Sequence, residues 1–189
     1  MSLMEDGVFP PNKGSFYSVN NDLLLKKQVS PVTISNGVAW SLNEDTLYYI
    51  DSPTCQVVGY DYNPQTGDIS NKRTVFDLQK NNIPGFPDGM TVDADGNLWV
   101  AVFGGGGVYQ VQPKTGEVLR FVKIKNVQNV TSVTFGGDEL DTLYVTTATT
   151  GLTESQLKEQ PYAGYVFAVK GLGVRGLVAN SFKLPARLT

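Results

Sequence analysis

Three stretches of this chain repeat one design. "SNGVAWSLNEDTLYYIDS", "PDGMTVDADGNLWVAVFG" and "TSVTFGGDELDTLYVTTA" each run from a polar cluster into a short apolar strand pattern. Each then passes an acidic turn and leaves through leucine, an aromatic or apolar residue, and more apolar positions. A second pair of strands follows the first two copies, in "QVVGYDYNPQTGDISNKRTVF" and "GVYQVQPKTGEVLRFVKI". The polar clusters lie 52 residues apart between Asn36 and Asp88, then 44 apart between Asp88 and Ser132. A four-stranded unit at this period is the signature of a β-propeller blade.

The spacing predicts an all-β fold, a partial β-propeller in one domain over residues 1–189. Residues 37–77 read as a full blade, 89–123 as a second and 132–170 as three strands of a third. Residues 14–28 supply half of another. That makes about three to three and a half blades, an incomplete ring beside the roughly four to eight that close one. The segment "TESQLKEQ", 153–160, is the one helical pattern expected. Open strand edges are expected at both ends of the array, and they invite self-association.

Composition narrows the chemistry. The chain has no histidine and one cysteine, Cys55. Serine–histidine and cysteine–histidine catalysis are therefore excluded, as are imidazole and polythiolate metal sites. A bound metal must use oxygen ligands, which suit calcium, magnesium or manganese. Net charge is −3 with both signs scattered, so nothing points to nucleic acid. No apolar run reaches the ~20 residues of a membrane helix. "MSLMEDGVFPPNKG" lacks the basic and apolar regions of a signal peptide, and with the lone thiol this fits a reducing, cytoplasmic setting. "NVT" at Asn129 is a glycosylation sequon with no secretory signal to bring it into use.

Several motifs have plain structural readings. "DADGN" (93–97) starts like a calcium loop, but the position that needs glutamate falls on Gly104, so a hairpin turn at Asp95-Gly96 is expected. "GLGVRG" (171–176) has the dinucleotide-loop spacing without a helix after it. "GGGG" (104–107) reads as a hairpin, Trp40 and Trp99 as core residues and Cys55 as a structural thiol. Asn36 and Asp88 stand apart. Both precede a glycine at the start of the first strand of a blade, the strand that lines a propeller's channel. They serve either as turn formers or as an amide and a carboxylate converging on an oxygen-ligand site.

"ISNGVAWS", "YYIDS", "DYNPQTGDISNKR", "PDGMTVDADGNLWVA", "TSVTFGG", "LYVT" and "GLGVRG" resemble the regucalcin (SMP-30/gluconolactonase) family, in order and from Gly14 onward. "PGFPDG" and "LWVAVFGG" resemble its insect branch, which includes luciferin-regenerating enzyme. The resemblance implies a six-bladed propeller with one divalent metal (calcium, zinc, magnesium or manganese) at the channel mouth, and hydrolysis of sugar lactones. It implies metal ligation by Asn36 and Asp88, with Asp88 also the general base. The family's first third, with a glutamate ligand and an arginine and asparagine that contact substrate, has no counterpart here. Met1 falls on an internal methionine of the family pattern, and a family acid position is taken by Met4, with Glu5 adjacent. The expectation is thus a truncated lactonase with an incomplete active site and little activity of its own. The alternatives are a non-catalytic calcium-binding or regulatory protein and a strand-edge interaction module.

Overall fold

The computed structural model describes residues 10–182. Strands β1 (Gly14–Val19) and β2 (Leu25–Val32) form a two-stranded antiparallel sheet. Strands β3 (Ser35–Trp40), β4 (Thr46–Asp51), β5 (Gln56–Asn63) and β6 (Asp68–Asp77) form a four-stranded meander. A second meander holds β7 (Phe86–Val92), β8 (Leu98–Phe103), β9 (Gly107–Gln112) and β10 (Glu117–Lys123). The last sheet holds β11 (Val130–Gly136), β12 (Thr142–Thr147) and β13 (Val166–Val169). The fold is the expected all-β propeller array, and its first strands pack side by side, β3 on β7 and β7 on β11.

Alternating apolar residues drive the stacking. A strand with apolar side chains on both faces must bury both, which only a neighbouring sheet on each side allows. In β8, "LWVAVF", Leu98, Val100 and Val102 join Ala39, Ile50, Val57 and Phe76 of the preceding sheet in one core. Trp99 and Ala101 point the other way and join Val133, Phe135, Leu143 and Val145 in a second core. A third core sets Leu47, Tyr49 and Tyr60 against Val32, with Phe16 stacked on Tyr49 at 4.7 Å. Each side chain fully buried in these layers contributes about 1.5–3 kcal/mol.

The helix α1 (Glu154–Glu159) forms where its pattern places it. Thr153 accepts from the Gln156 backbone while the Gln156 side chain reaches back, a reciprocal cap that starts so short a helix. "GGGG" makes the β8–β9 hairpin, and "GLGVRG" lies outside the named strands, with Gly171 and Gly173 at positive φ and Gly176 bridging to Asp93.

Two expectations change. Trp99 is fully buried, but Trp40 is 38% exposed. The register explains it. Trp40 pairs with Leu47 at the end of a first strand, whereas Trp99 lies on a second strand between two sheets. Asp93 is more than a turn residue. It is fully buried and accepts hydrogen bonds from the backbones of Asp95 and Asn97, from Trp99 Nε1 at 2.9 Å and from Gln110 Nε2 at 2.8 Å. A buried carboxylate survives only with such donors around it. Its work is to hold the turn and to satisfy the buried indole N–H.

Candidate functional site

Asn36 and Asp88 come together at the N-terminal ends of β3 and β7. The same irregularity places each. Ser35 pairs with Asp51 and Val38 with Tyr49, so Asn36 and Gly37 together face one residue, Ile50. Pro87 pairs with Val102 and Met90 with Val100, so Asp88 and Gly89 together face Ala101. Two residues against one is a β-bulge, which turns the extra side chain out of the pleat. In both strands the side chain turned out is polar.

The glycines after them set how near the strands can lie. A Cβ on Gly37 would sit 2.8 Å from the Asp88 carbonyl oxygen, the Ile50 Cδ1 and the Met90 Cβ alike. Only glycine lets β3 and β7 approach closely enough for an amide on one to meet a carboxyl on the other.

Ser52, which the sequence did not single out, ties the pair down. It is buried in a short 3-10 turn, Ser52–Thr54. It accepts from Asn36 Nδ2 at 3.1 Å and donates to the Pro87 carbonyl at 2.7 Å. One hydroxyl therefore fixes the Asn36 amide and anchors the backbone just before Asp88. No local pattern marks a serine after a strand, so this role emerges only in three dimensions.

Burial pushes the Asp88 carboxyl up to about 6, and a hydrogen bond from Asn36 pulls it partly back. Desolvation disfavours the charged form, and a donor favours it. The charge is thus poorly solvated, and a cation beside it would be welcome. The donor set suits an oxygen-seeking metal, with one carboxylate and one amide and no nitrogen or sulfur ligand. Among the described residues no group of three or more His, Cys, Asp or Glu gathers into a metal-binding cluster. Asn36 and Asp88 supply two donors from the described residues, against the roughly six to eight oxygens that calcium takes. Met4 and Glu5 lie outside the described residues.

Other features fall elsewhere. A cavity of about 450 Å³ opens at the far ends of the first strands, lined by Trp40, Leu42, Met90, Val92, Phe135 and Val178. Neither Asn36 nor Asp88 lines it. Cys55 is buried and its thiol is pushed up by that burial, which suits a structural residue. Asn129 of the sequon is buried and donates to the Thr150 carbonyl. No helix among the described residues is long and apolar enough to cross a membrane.

Residues 1–149 match the SMP-30/Gluconolactonase/LRE-like region. Regucalcin from Xenopus laevis is 42% identical over 171 residues, covering 90% of this chain and 56% of the relative. Regucalcin from Homo sapiens is 43% identical over 175 residues, covering 93% of this chain and 58% of the relative. Among solved structures, a luciferin-regenerating enzyme superposes with a TM-score of 0.86 at 43% identity, over 92% of this chain and 57% of the other. A calcium-binding protein, regucalcin, from Agrobacterium tumefaciens superposes with a TM-score of 0.84 at 24% identity, a likeness of fold. The chain thus spans under three fifths of the length of these relatives. Its repeated sheets, its sequence match along most of its length and its identity to the regucalcins place it in the SMP-30/gluconolactonase family.

Proposed function

We propose that this chain carries the Asn36–Asp88 half of a metal-assisted lactone hydrolase site. The observation that supports it most is the Asp88 carboxyl, half-buried beside Asn36 and raised to about 6. A carboxylate so placed is deprotonated at neutral pH yet basic enough to take a proton from water. A divalent cation held by Asn36 and Asp88 would polarise the lactone carbonyl or the attacking water. Asp88 accepts one proton as the water oxygen bonds to the carbonyl carbon. That proton then goes to the ring oxygen as its bond to carbon breaks, leaving the open hydroxy acid. Asn36, fixed through Ser52, keeps the carboxylate oriented.

Two donors from this chain do not make a full coordination shell, so lactone turnover by the 189-residue chain is expected to be near zero. Robust metal-dependent turnover by the purified chain would sink that expectation. The decisive experiment places this chain in the matching segment of human regucalcin and assays glucono-1,5-lactone with calcium, magnesium, manganese and zinc. Asp88→Ala in that chimera should lower kcat by about 10²–10⁴, the usual contribution of a general base. Unchanged turnover in the variant overturns the assignment.

A second reading, a non-catalytic calcium-binding role, is favoured by the donor set, which suits a hard cation without completing a catalytic group. Under it, Asp88→Ala abolishes calcium binding by the chimera, and no lactone is hydrolysed by either form.

A further inference from the structure

The repeat that sets Asn36 and Asp88 near the starts of β3 and β7 sets Ser132 near the start of β11. Asp88 is the third residue of β7 and Ser132 the third of β11, and the two strands pack side by side. They touch at Gly89, the residue after Asp88. A Cβ on Gly89 would lie 2.3 Å from the Ser132 Oγ and 2.7 Å from the Ser132 Cα and Cβ. A Cα–Cβ bond is about 1.5 Å and successive Cα atoms are about 3.8 Å apart. The Ser132 hydroxyl therefore lies within about 4 Å of the Gly89 Cα and within about 8 Å of the Asp88 Cα. Only glycine at position 89 leaves it that room.

This contact puts Ser132 on the side of the last sheet that faces β7. The side chain is nonetheless exposed. A side chain that touches the neighbouring strand and still meets solvent stands at the open end of the strands, where Asn36 and Asp88 also stand. Its hydroxyl is uncommitted. The adjacent Thr131 and Thr146 hydroxyls bond each other, and Thr146 reaches the Ser132 carbonyl rather than its side chain. Among the described residues, Asn36 is the one side chain bonded to the Asp88 carboxyl, so Ser132 is close to Asp88 without being spent on it. A free serine hydroxyl offers one proton and two lone pairs. The group that answers both without a charge is an alcohol.

We infer that Ser132 lines the Asp88 site and that its hydroxyl binds a hydroxyl of a polyhydroxy acid or its lactone. The inference rests on the reading of Asp88 as the reacting centre. A serine pressed against a glycine can also be there for its size alone, and alanine separates the two roles because it keeps the size and drops the hydroxyl.

The test titrates the isotope-labelled 189-residue chain, with calcium present, against gluconate and against hexanoate, an acid of the same chain length without the hydroxyls. Backbone amide signals report binding. Gluconate should shift Gly89 and Ser132 in wild type and should bind more tightly than hexanoate. Ser132→Ala should lose about fivefold of that preference, the worth of one neutral hydrogen bond. An unchanged preference, or an equal loss of affinity for both acids, overturns the inference. Either result alongside lost gluconate binding in Asp88→Asn leaves the Asp88 reading standing. No gluconate-induced shift at Gly89 in wild type overturns both.

Discussion

Asp88 is held in a state that costs stability. Its carboxyl titrates near 6 in the fold against an ordinary value of 3.8. Between those pH values the folded protein binds more protons than the unfolded chain, so stability falls as pH rises through that window. Above pH 6 the whole deficit is present. At 1.36 kcal/mol per pH unit the gap between 3.8 and about 6 is about 3 kcal/mol, which solvent screening of this only partly buried group reduces to roughly 2 kcal/mol. Asp88→Asn is neutral and keeps the shape. It should raise Tm at pH 7 relative to wild type, with the gap closing toward pH 4. Thermal unfolding of both proteins across that range checks it, and equal pH dependence in the two would refute the assignment of the cost to Asp88. A site that binds a cation profits from such an under-solvated charge, so millimolar calcium should narrow the gap at pH 7. Ser52 works at the same scale, since its single hydroxyl bonds both the Asn36 amide and the Pro87 carbonyl. Ser52→Ala leaves the buried Pro87 carbonyl without its donor and takes one of two acceptors from the half-buried Asn36 amide, and should cost about 1–3 kcal/mol in chemical denaturation.

At the scale of the strand, the bulge and the close-approach glycine act together. The bulge aims the polar side chain, and the glycine lets the next strand come near enough to meet it. Gly37→Ala would press a methyl against the Asp88 carbonyl and against Ile50 and Met90. Overpacking of this kind costs about 1–3 kcal/mol, and here it must also move β3 relative to β7. Val38→Ala, next along the same strand and 39% exposed, should stay within about 0.5 kcal/mol. Equal costs at the two positions would show that the glycine does not govern the approach. Much of this element was legible in the sequence. The "TLYYID", "NLWVAV" and "TLYVTT" patterns fall on β4, β8 and β12, because leucine followed by aromatic and β-branched residues suits a strand buried on both faces. "SNG" and "PDG" drew notice through the glycine itself. The bulge was not legible. An extra residue in one strand leaves no mark until its partner's register is known. Asp93 and Ser52 were misjudged or missed for a related reason, since their partners, Trp99, Gln110, Asn36 and Pro87, lie on other strands or turns. Trp40 was misplaced because an aromatic residue at a strand end reads the same whether or not a sheet covers it.

At the scale of the molecule, the array is a stack in which each internal gap between sheets is filled by an apolar core. The two end faces differ. On the last sheet Tyr144 is 39% and Val166 65% exposed, and β13 pairs with β12 along one side only. At the other end Tyr17 and Leu25 stand exposed on the two-stranded sheet. Internal faces of the same design are buried, so the end faces carry the same driving force without a partner within the described residues. Exposed apolar surface beside an unpaired strand edge is the combination that natural sheets avoid or cover. A second copy presents both kinds of face at once, and strand addition along β13 satisfies its free backbone groups. We therefore expect the isolated chain to self-associate, with a mass by light scattering that rises with concentration. Val166→Lys places a charge at the free edge and should shift the equilibrium toward monomer without lowering Tm, because Val166 buries little in the single chain. A monodisperse monomer for wild type across the concentration series would mean that the end faces tolerate water as they stand, and the proposal of pairing through open edges would fall.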